Sequence, residues 1–236
     1  FFGLRVVARP LPQLEVGISR TAMLCGEGRP CGLDTWWDMF IGNDNADEDL
    51  SREDEPGNQL GGFDVRWGFQ SVPLALYAQG IGEDEAGFLP SRYLGLFGAE
   101  VHGGGSSASW RAYLEYANTA CDFSRSSPSY GCAYEHGVYT DGYTYRDLPL
   151  GHAADRDAEL YTAGVALVNG YGTWNARVVS GDMNRASFVG PRPHAWGPVA
   201  GEYGEFQVGW SGSVAGFDVA VQAGWPEGED VAGEDG

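Results

Sequence analysis

The feature that most restricts this chain is an alternation of apolar and polar residues that recurs in ten stretches of about ten residues each. In 214–225, VAGFDVAVQAGW, the residues Phe217, Val219, Val221, Ala223 and Trp225 fall on one side, and Asp218, Ala220 and Gln222 on the other. A period of two means a strand with unlike faces. The same split runs through LEVGIS (Leu14, Val16 and Ile18 against Glu15 and Ser19), GFDVRWGF (Phe63, Val65, Trp67 and Phe69 against Asp64 and Arg66) and SWRAYLEY (Trp110, Leu114 and Tyr116 against Arg111, Tyr113 and Glu115). It recurs in WNARV and FQVGW. Strands are therefore predicted over 1–9, 13–21, 59–70, 73–81, 92–101, 108–118, 159–168, 173–181, 202–211 and 214–225.

The connections decide what these strands build. The joints at Pro10-Leu11-Pro12, Ser71-Val72, His102 to Ser107, Asn169 to Gly172 and Gly212-Ser213 are short and rich in turn residues, as hairpins require. Residues 22–58, 82–91, 119–158 and 182–201 form longer connections. Short turns at one end and long loops at the other mark a membrane barrel, whereas a soluble β-sandwich has no reason to sort its loops. Phe2, Trp67, Phe69, Tyr77, Tyr93, Trp110, Tyr116, Tyr161, Trp174, Trp210 and Trp225 sit near strand ends, where aromatic girdles lie. The opposite face carries Arg5, Arg9, Glu15, Arg66, Arg111, Glu115, Arg177 and Glu205, which can pair across a wet lumen. The expectation is an all-β, antiparallel, transmembrane outer-membrane β-barrel in meander order, forming one domain over 1–236 with an acidic tail at 226–236. Leu14, Val16, Phe63, Val65, Leu114, Val219 and Val221 should face outward. No apolar run approaches the roughly 18 residues of a membrane helix, and almost no helix is expected.

Composition excludes several functions. The net charge is −19, and all 14 basic residues are Arg, so the chain repels nucleic acid backbones. The 37 glycines suit tight turns and close strand packing. Cys25 and Cys31 lie in one long loop, and Cys121 and Cys132 in another. This even count and local spacing favour two intraloop disulfides, with cross-loop pairing or free thiols as alternatives, and match no zinc motif. Asn43, Asn45, Asp47 and Asp49 have a calcium-loop rhythm, but Glu48 stands where a turn glycine is required, so a solvated acidic loop is the better reading. No metal or cofactor is expected. The four histidines are scattered and no G-x-S-x-G is present, so no enzyme is expected. A passive porin is the main alternative, and a barrel-embedded hydrolase a weaker one.

Several longer blocks carry a family resemblance. RTAMLCGEGRPCGLDTWWDMFIGNDN, EPGNQLGGFD, IGEDEAG, PSRYLGLFG, WRAYLEYANTACDF and YGCAYEHGVYTDGYTYR together resemble the capsule-assembly family called Wzi, over roughly residues 1–185. The resemblance implies an outer-membrane barrel of roughly 18 strands in Gram-negative bacteria, with a small N-terminal helical part, that binds capsular polysaccharide at the cell surface and helps attach and assemble capsule. Ten predicted strands would then be the C-terminal portion of a longer barrel, lacking its signal and first strands. Residues 3–8 should lack ladder partners on one side. The stretch from 186 onward and the tail depart from the motifs.

Glycan binding makes physical sense of the loops, because sugars are held by aromatic faces and by polar side chains that exchange hydrogen bonds with hydroxyls. Candidates are Glu27, Arg29, Asp34, Trp36 and Trp37 in 22–58, and Tyr130, Tyr134, Glu135, His136, Tyr139, Asp141, Tyr143 and Tyr145 in 119–158. The plainer reading of these aromatics is a packed cap over the barrel. Expected partners are capsular polysaccharide, outer-membrane lipid and lipopolysaccharide, with the protein a monomer.

Overall fold

The structure, a computed structural model, describes residues 1–41, 57–86, 89–137, 139–146 and 148–228. Ten long strands form one antiparallel sheet. They are β1 (Phe2–Leu11), β2 (Leu14–Leu24), β3 (Gly57–Gly68), β4 (Leu74–Ala86), β5 (Leu89–Gly104), β6 (Ala108–Asn118), β9 (Glu159–Asn169), β10 (Gly172–Met183), β11 (Gly201–Val214) and β12 (Phe217–Gly228). A small hairpin, β7 (Thr144–Tyr145) with β8 (Leu148–Pro149), lies in the loop between β6 and β9. Each long strand pairs with its sequence neighbours, so the order is a meander. Among the described residues β1 and β12 do not pair with each other, and residues 3–8 bond only to β2. The wall is therefore open.

The period-two residues point as the alternation requires. Leu114 is 65% exposed, Val221 60% and Phe63 50%, and Val16 and Val65 are exposed with them. A two-sheet sandwich would bury these side chains, so its reading fails. Aromatic pairs mark two bands on the outer face. Phe97–Tyr116, Tyr116–Tyr161 and Phe206–Trp225 lie toward the loop end, and Trp174–Trp210 toward the turn end.

The inner face is a lattice of charge and hydroxyl groups. Arg5 donates to Asp64 at 3.1 Å and 2.6 Å, Arg66 to Glu100 at 3.1 Å, and Arg177 to Glu205 at 3.1 Å. Arg9 pairs with Glu15 at 2.7 Å, and Arg111 approaches Glu100 at 3.5 Å. The hydroxyl of Tyr77 donates to Glu115 at 3.0 Å, so Tyr77 belongs to the lumen and not to the girdle where its position near a strand end had placed it. Several of these contacts skip a strand. Tyr77 crosses from β4 to β6 over Gly98, where a Cβ would meet its ring at 2.2 Å, and Asp64 reaches β1 over Gly17 in the same way.

Three local features differ from expectation. The 82–91 connection is not a long loop, because β4 and β5 stay paired up to Ala86↔Leu89. The last turn lies at Ala215-Gly216, both with positive φ, not at Gly212-Ser213, as two-residue hairpins prefer. Loop 22–58 contains the nine-residue helix α1 (Leu33–Ile41), with Asp34 in its first turn facing the positive helix end. Trp36 and Phe40 pack edge-on against Phe2 at 5.7 Å and 5.5 Å. No described helix is long and apolar enough to cross a membrane.

A Leu114→Arg substitution places charge on the outer face at mid-strand. It should destabilise the barrel by about 2–4 kcal/mol in urea titrations in lipid vesicles, whereas Arg111→Gln on the lumen side should cost under about 1 kcal/mol. Equal effects would contradict the assignment of faces.

Candidate functional site

The loop end carries a folded cap. Thr119 and Ala158 close the base of the β6–β9 loop: the Thr119 amide donates to the Ala158 carbonyl at 2.9 Å, and the Ala158 amide to the Thr119 hydroxyl at 2.8 Å. A Cys121–Cys132 disulfide cross-links its first arm, and Cys25–Cys31 ties the loop between β2 and α1. Leu60 and Leu94 on the wall pack with Cys121, Ala133 and Tyr134 of the loop. The cap thus folds inward over the lumen.

Charge holds the cap together. Asp155, Arg156 and Asp157 are fully buried, and the two aspartates adopt left-handed backbone, with φ of 62° and 57°. Arg156 donates to Glu135 at 2.6 Å and to the Phe188 carbonyl at 3.3 Å, its guanidinium 5.6 Å from the Phe188 ring. Arg192 grips both oxygens of Asp155, one at 2.7 Å, and the Ala195 amide adds a bond of 2.9 Å. Asp157 accepts from the Gly131 amide at 2.9 Å and 3.0 Å, and its own carbonyl accepts from the Arg185 amide. Buried charges must be paired and bonded this way or they destabilise the fold. The β10–β11 connection is thereby locked to the β6–β9 loop. Sequence reading missed this network, because a charged triplet normally reads as solvated; its signal was the Ala flanks in HAADRDAEL.

Burial and bonding set the protonation states. Burial pushes Glu135 and Asp157 up from the ordinary carboxylate range, against the pull of Arg156. Asp155 is also disfavoured by burial, but the Arg192 and Ala195 bonds prevail and hold it below that range. Burial lowers His152 and His194. His194 Nε2 lies 2.9 Å from the Arg156 carbonyl and so donates, while Nδ1 accepts from the Trp196 amide at 3.1 Å. His152 Nδ1 likewise accepts from the Ala154 amide.

The predicted residues separate into groups. Tyr134 is buried, its hydroxyl accepting from the His152 amide and its ring stacked on Tyr143 at 6.3 Å. The Tyr139 hydroxyl accepts from the Gly26 amide at 3.2 Å, tying the cap to the first disulfide loop, and its own amide donates to His136. Trp36 packs on Phe2, whereas Trp37 is 66% exposed on the next position of α1. Tyr130 lies beneath Arg185, and Tyr145 beneath Arg146; both keep exposed surface. Glu27, Asp34 and Asp141 are exposed, and Arg29 is half-buried in the disulfide turn. The Asn43–Asp49 rhythm lies outside the described residues.

Glu135 and His136 line a cavity of about 480 Å³ with Asn58, Glu83, Arg92, Phe188 and other residues. Asn58, Glu83 and Arg92 stand near the loop ends of three adjacent strands, β3 to β5. The Tyr134 amide donates to Glu83 here. A second cavity, of about 330 Å³ and mainly apolar, lies deeper between the wall and Tyr134, Tyr143 and His152. Among the described residues no cluster of His, Cys, Asp or Glu could hold a metal ion.

A family model described as "Capsule assembly protein Wzi" matches residues 1–167. The chain belongs to the Wzi capsule-assembly family. It is 35% identical over 218 residues to an "Uncharacterized 55.8 kDa protein in cps region" of Klebsiella pneumoniae, covering 90% of this chain and 41% of that protein. It also matches the solved structure of Wzi from Escherichia coli with a TM-score of 0.80 and 31% identity, over 97% of this chain and 47% of that one. That protein is described as an outer-membrane protein involved in group 1 capsule assembly and a carbohydrate-binding β-barrel. The chain spans less than half the length of these relatives. The Wzi fold extends past 186, beyond the reach of the sequence motifs.

Neutral His152 and His194 belong to the folded cap, so the folded state binds fewer protons than the unfolded one near their ordinary value of 6.5. Their stabilisation is present above that value and is lost as pH falls below it. Amide exchange in 152–158 and 184–197, corrected for intrinsic rates, should accelerate between pH 7.5 and 5.5, and His194→Gln should flatten the response. A pH-independent rate in the wild type would refute this assignment.

Proposed function

We propose that the protein is part of an outer-membrane β-barrel that binds capsular polysaccharide at its capped, cell-surface end and helps attach and assemble capsule. The observation that carries this reading is the cap itself: a charge-locked lid over a polar-lined wall that holds a polar cavity, with Trp37, Tyr130 and Tyr145 exposed on the loops of the same end. Rigid scaffolding under exposed aromatic and polar groups is what glycan recognition requires. The description of Escherichia coli Wzi as a carbohydrate-binding barrel supports the ligand class. The reading is of a binding protein and not a catalyst. Inward-folded loops at the mouth favour it over a passive porin.

The open wall is best read as one stretch of a larger barrel. Unpaired backbone groups in lipid cost several kcal/mol each, so β1 and β12 need further strands to close on. Outer-membrane lipid and lipopolysaccharide would surround the apolar face, and a closed barrel would act as a monomer.

Cells lacking the protein should still make capsule but release more of it into the medium. Replacing both Trp37 and Tyr145 with Ala should lower surface retention of capsule severalfold while leaving barrel insertion intact. Normal retention in a deletion strain, measured as cell-bound against released polysaccharide, would remove the proposed role.

A further inference from the structure

We propose that the cavity between the raised β4–β5 hairpin and the cap takes one neutral sugar unit of the glycan, held through its hydroxyls by Asn58 and Glu135; this rests on the glycan-binding reading above. Asn58 is 6% exposed, and its Nδ2 has no hydrogen-bond partner. The Glu135 side chain is 8% exposed; Arg156 occupies its Oε1, and Oε2 has no partner. Both residues line the same cavity. A buried polar atom left unpaired by the protein calls for an explanation, and where it lies on a residue lining a cavity a ligand can supply the missing bond.

Of three orphaned atoms on residues that line the cavity, the amide nitrogens of Asn58 and Gln59 and Oε2 of Glu135, the first and last specify a chemistry. An amide N–H only donates and a carboxylate only accepts, whereas a hydroxyl does both. One sugar hydroxyl, or two on neighbouring carbons, therefore accepts from Asn58 and donates to Glu135. A ligand carboxylate has acceptors alone. It would face Glu83 and Glu135 together, with Arg92 the one Arg or Lys among the described lining residues. Phe188, half-buried with Arg156 near its ring, supplies a flat apolar surface for the C–H side of the sugar. The cavity of about 480 Å³ lies in the range of small-ligand sites.

The test uses the full-length protein in detergent and the capsular polysaccharide of the strain that carries it, with binding read by surface plasmon resonance. Asn58→Asp keeps the shape but replaces the donor with an acceptor, and should weaken binding tenfold or more. Asn58→Ser, which retains a donor, should stay within about threefold of wild type. At least one neutral methyl hexoside should compete, and glucuronate should not. Amide exchange over 152–158 should match wild type in both variants, which separates loss of contact from loss of the cap. Unchanged binding in Asn58→Asp, with loss in the Trp37→Ala/Tyr145→Ala variant, would move the glycan to the exposed aromatics and overturn the cavity assignment alone. Competition by glucuronate without any neutral hexoside would overturn the neutral class. Absence of binding by the wild type would overturn the glycan reading and this inference with it.

Discussion

A guanidinium buried at the mouth of a barrel demands compensation from every direction, and much of the cap is arranged to provide it. Arg156 is flanked in sequence by two buried aspartates, and its own charge is met by Glu135 from the arm just past the second disulfide. Arg192 then balances Asp155 and, at 3.3 Å, approaches Glu135. Each partner comes from a different part of the chain, so the charges can be neutralised only when both connections are folded together. Taking away one partner of such a set strands a charge in low dielectric, at a cost of about 3–5 kcal/mol, whereas exposed pairs contribute little. Tyr134, stacked on Tyr143, and the Tyr139 link to Gly26 lie in the same loop as Glu135 and Arg156 of this network.

The wall was legible in the sequence for a simple reason. Lipid on one side and water on the other impose a rule on every second residue, and ten strands in meander order obey it. Where lipid ends, the rule ends too. The stretch GEDEA at the top of β4 carries no apolar face, so it read as a loop, although its backbone continues the ladder to Ala86↔Leu89. The same holds for α1, whose nine residues give too few turns for a helical period to emerge. Local spacing favoured the two intraloop disulfides but left cross-loop pairing open, and the structure joins Cys25 to Cys31 and Cys121 to Cys132.

The candidate site was only partly legible. Aromatic loop residues were easy to nominate, but composition cannot tell a ring that packs from a ring that waits for ligand; Tyr134 is buried and Trp37 is open. Asn58 and Arg92 were invisible as a pair, because 34 residues separate them in sequence and only the register of β3, β4 and β5 brings their ends together. Phe188 and Arg192 lie in the least patterned part of the chain, and nothing in their sequence context announces that they complete the cap.

The glycine gaps in the wall have a mechanical consequence. Because Tyr77 lies flat over Gly98 to reach Glu115, and Asp64 lies over Gly17 to reach Arg5, these side chains run around the circumference instead of toward the axis. Each ties a strand to the next but one. Such ties act like cross-bracing along the wall, so splaying one hairpin requires breaking contacts two strands away.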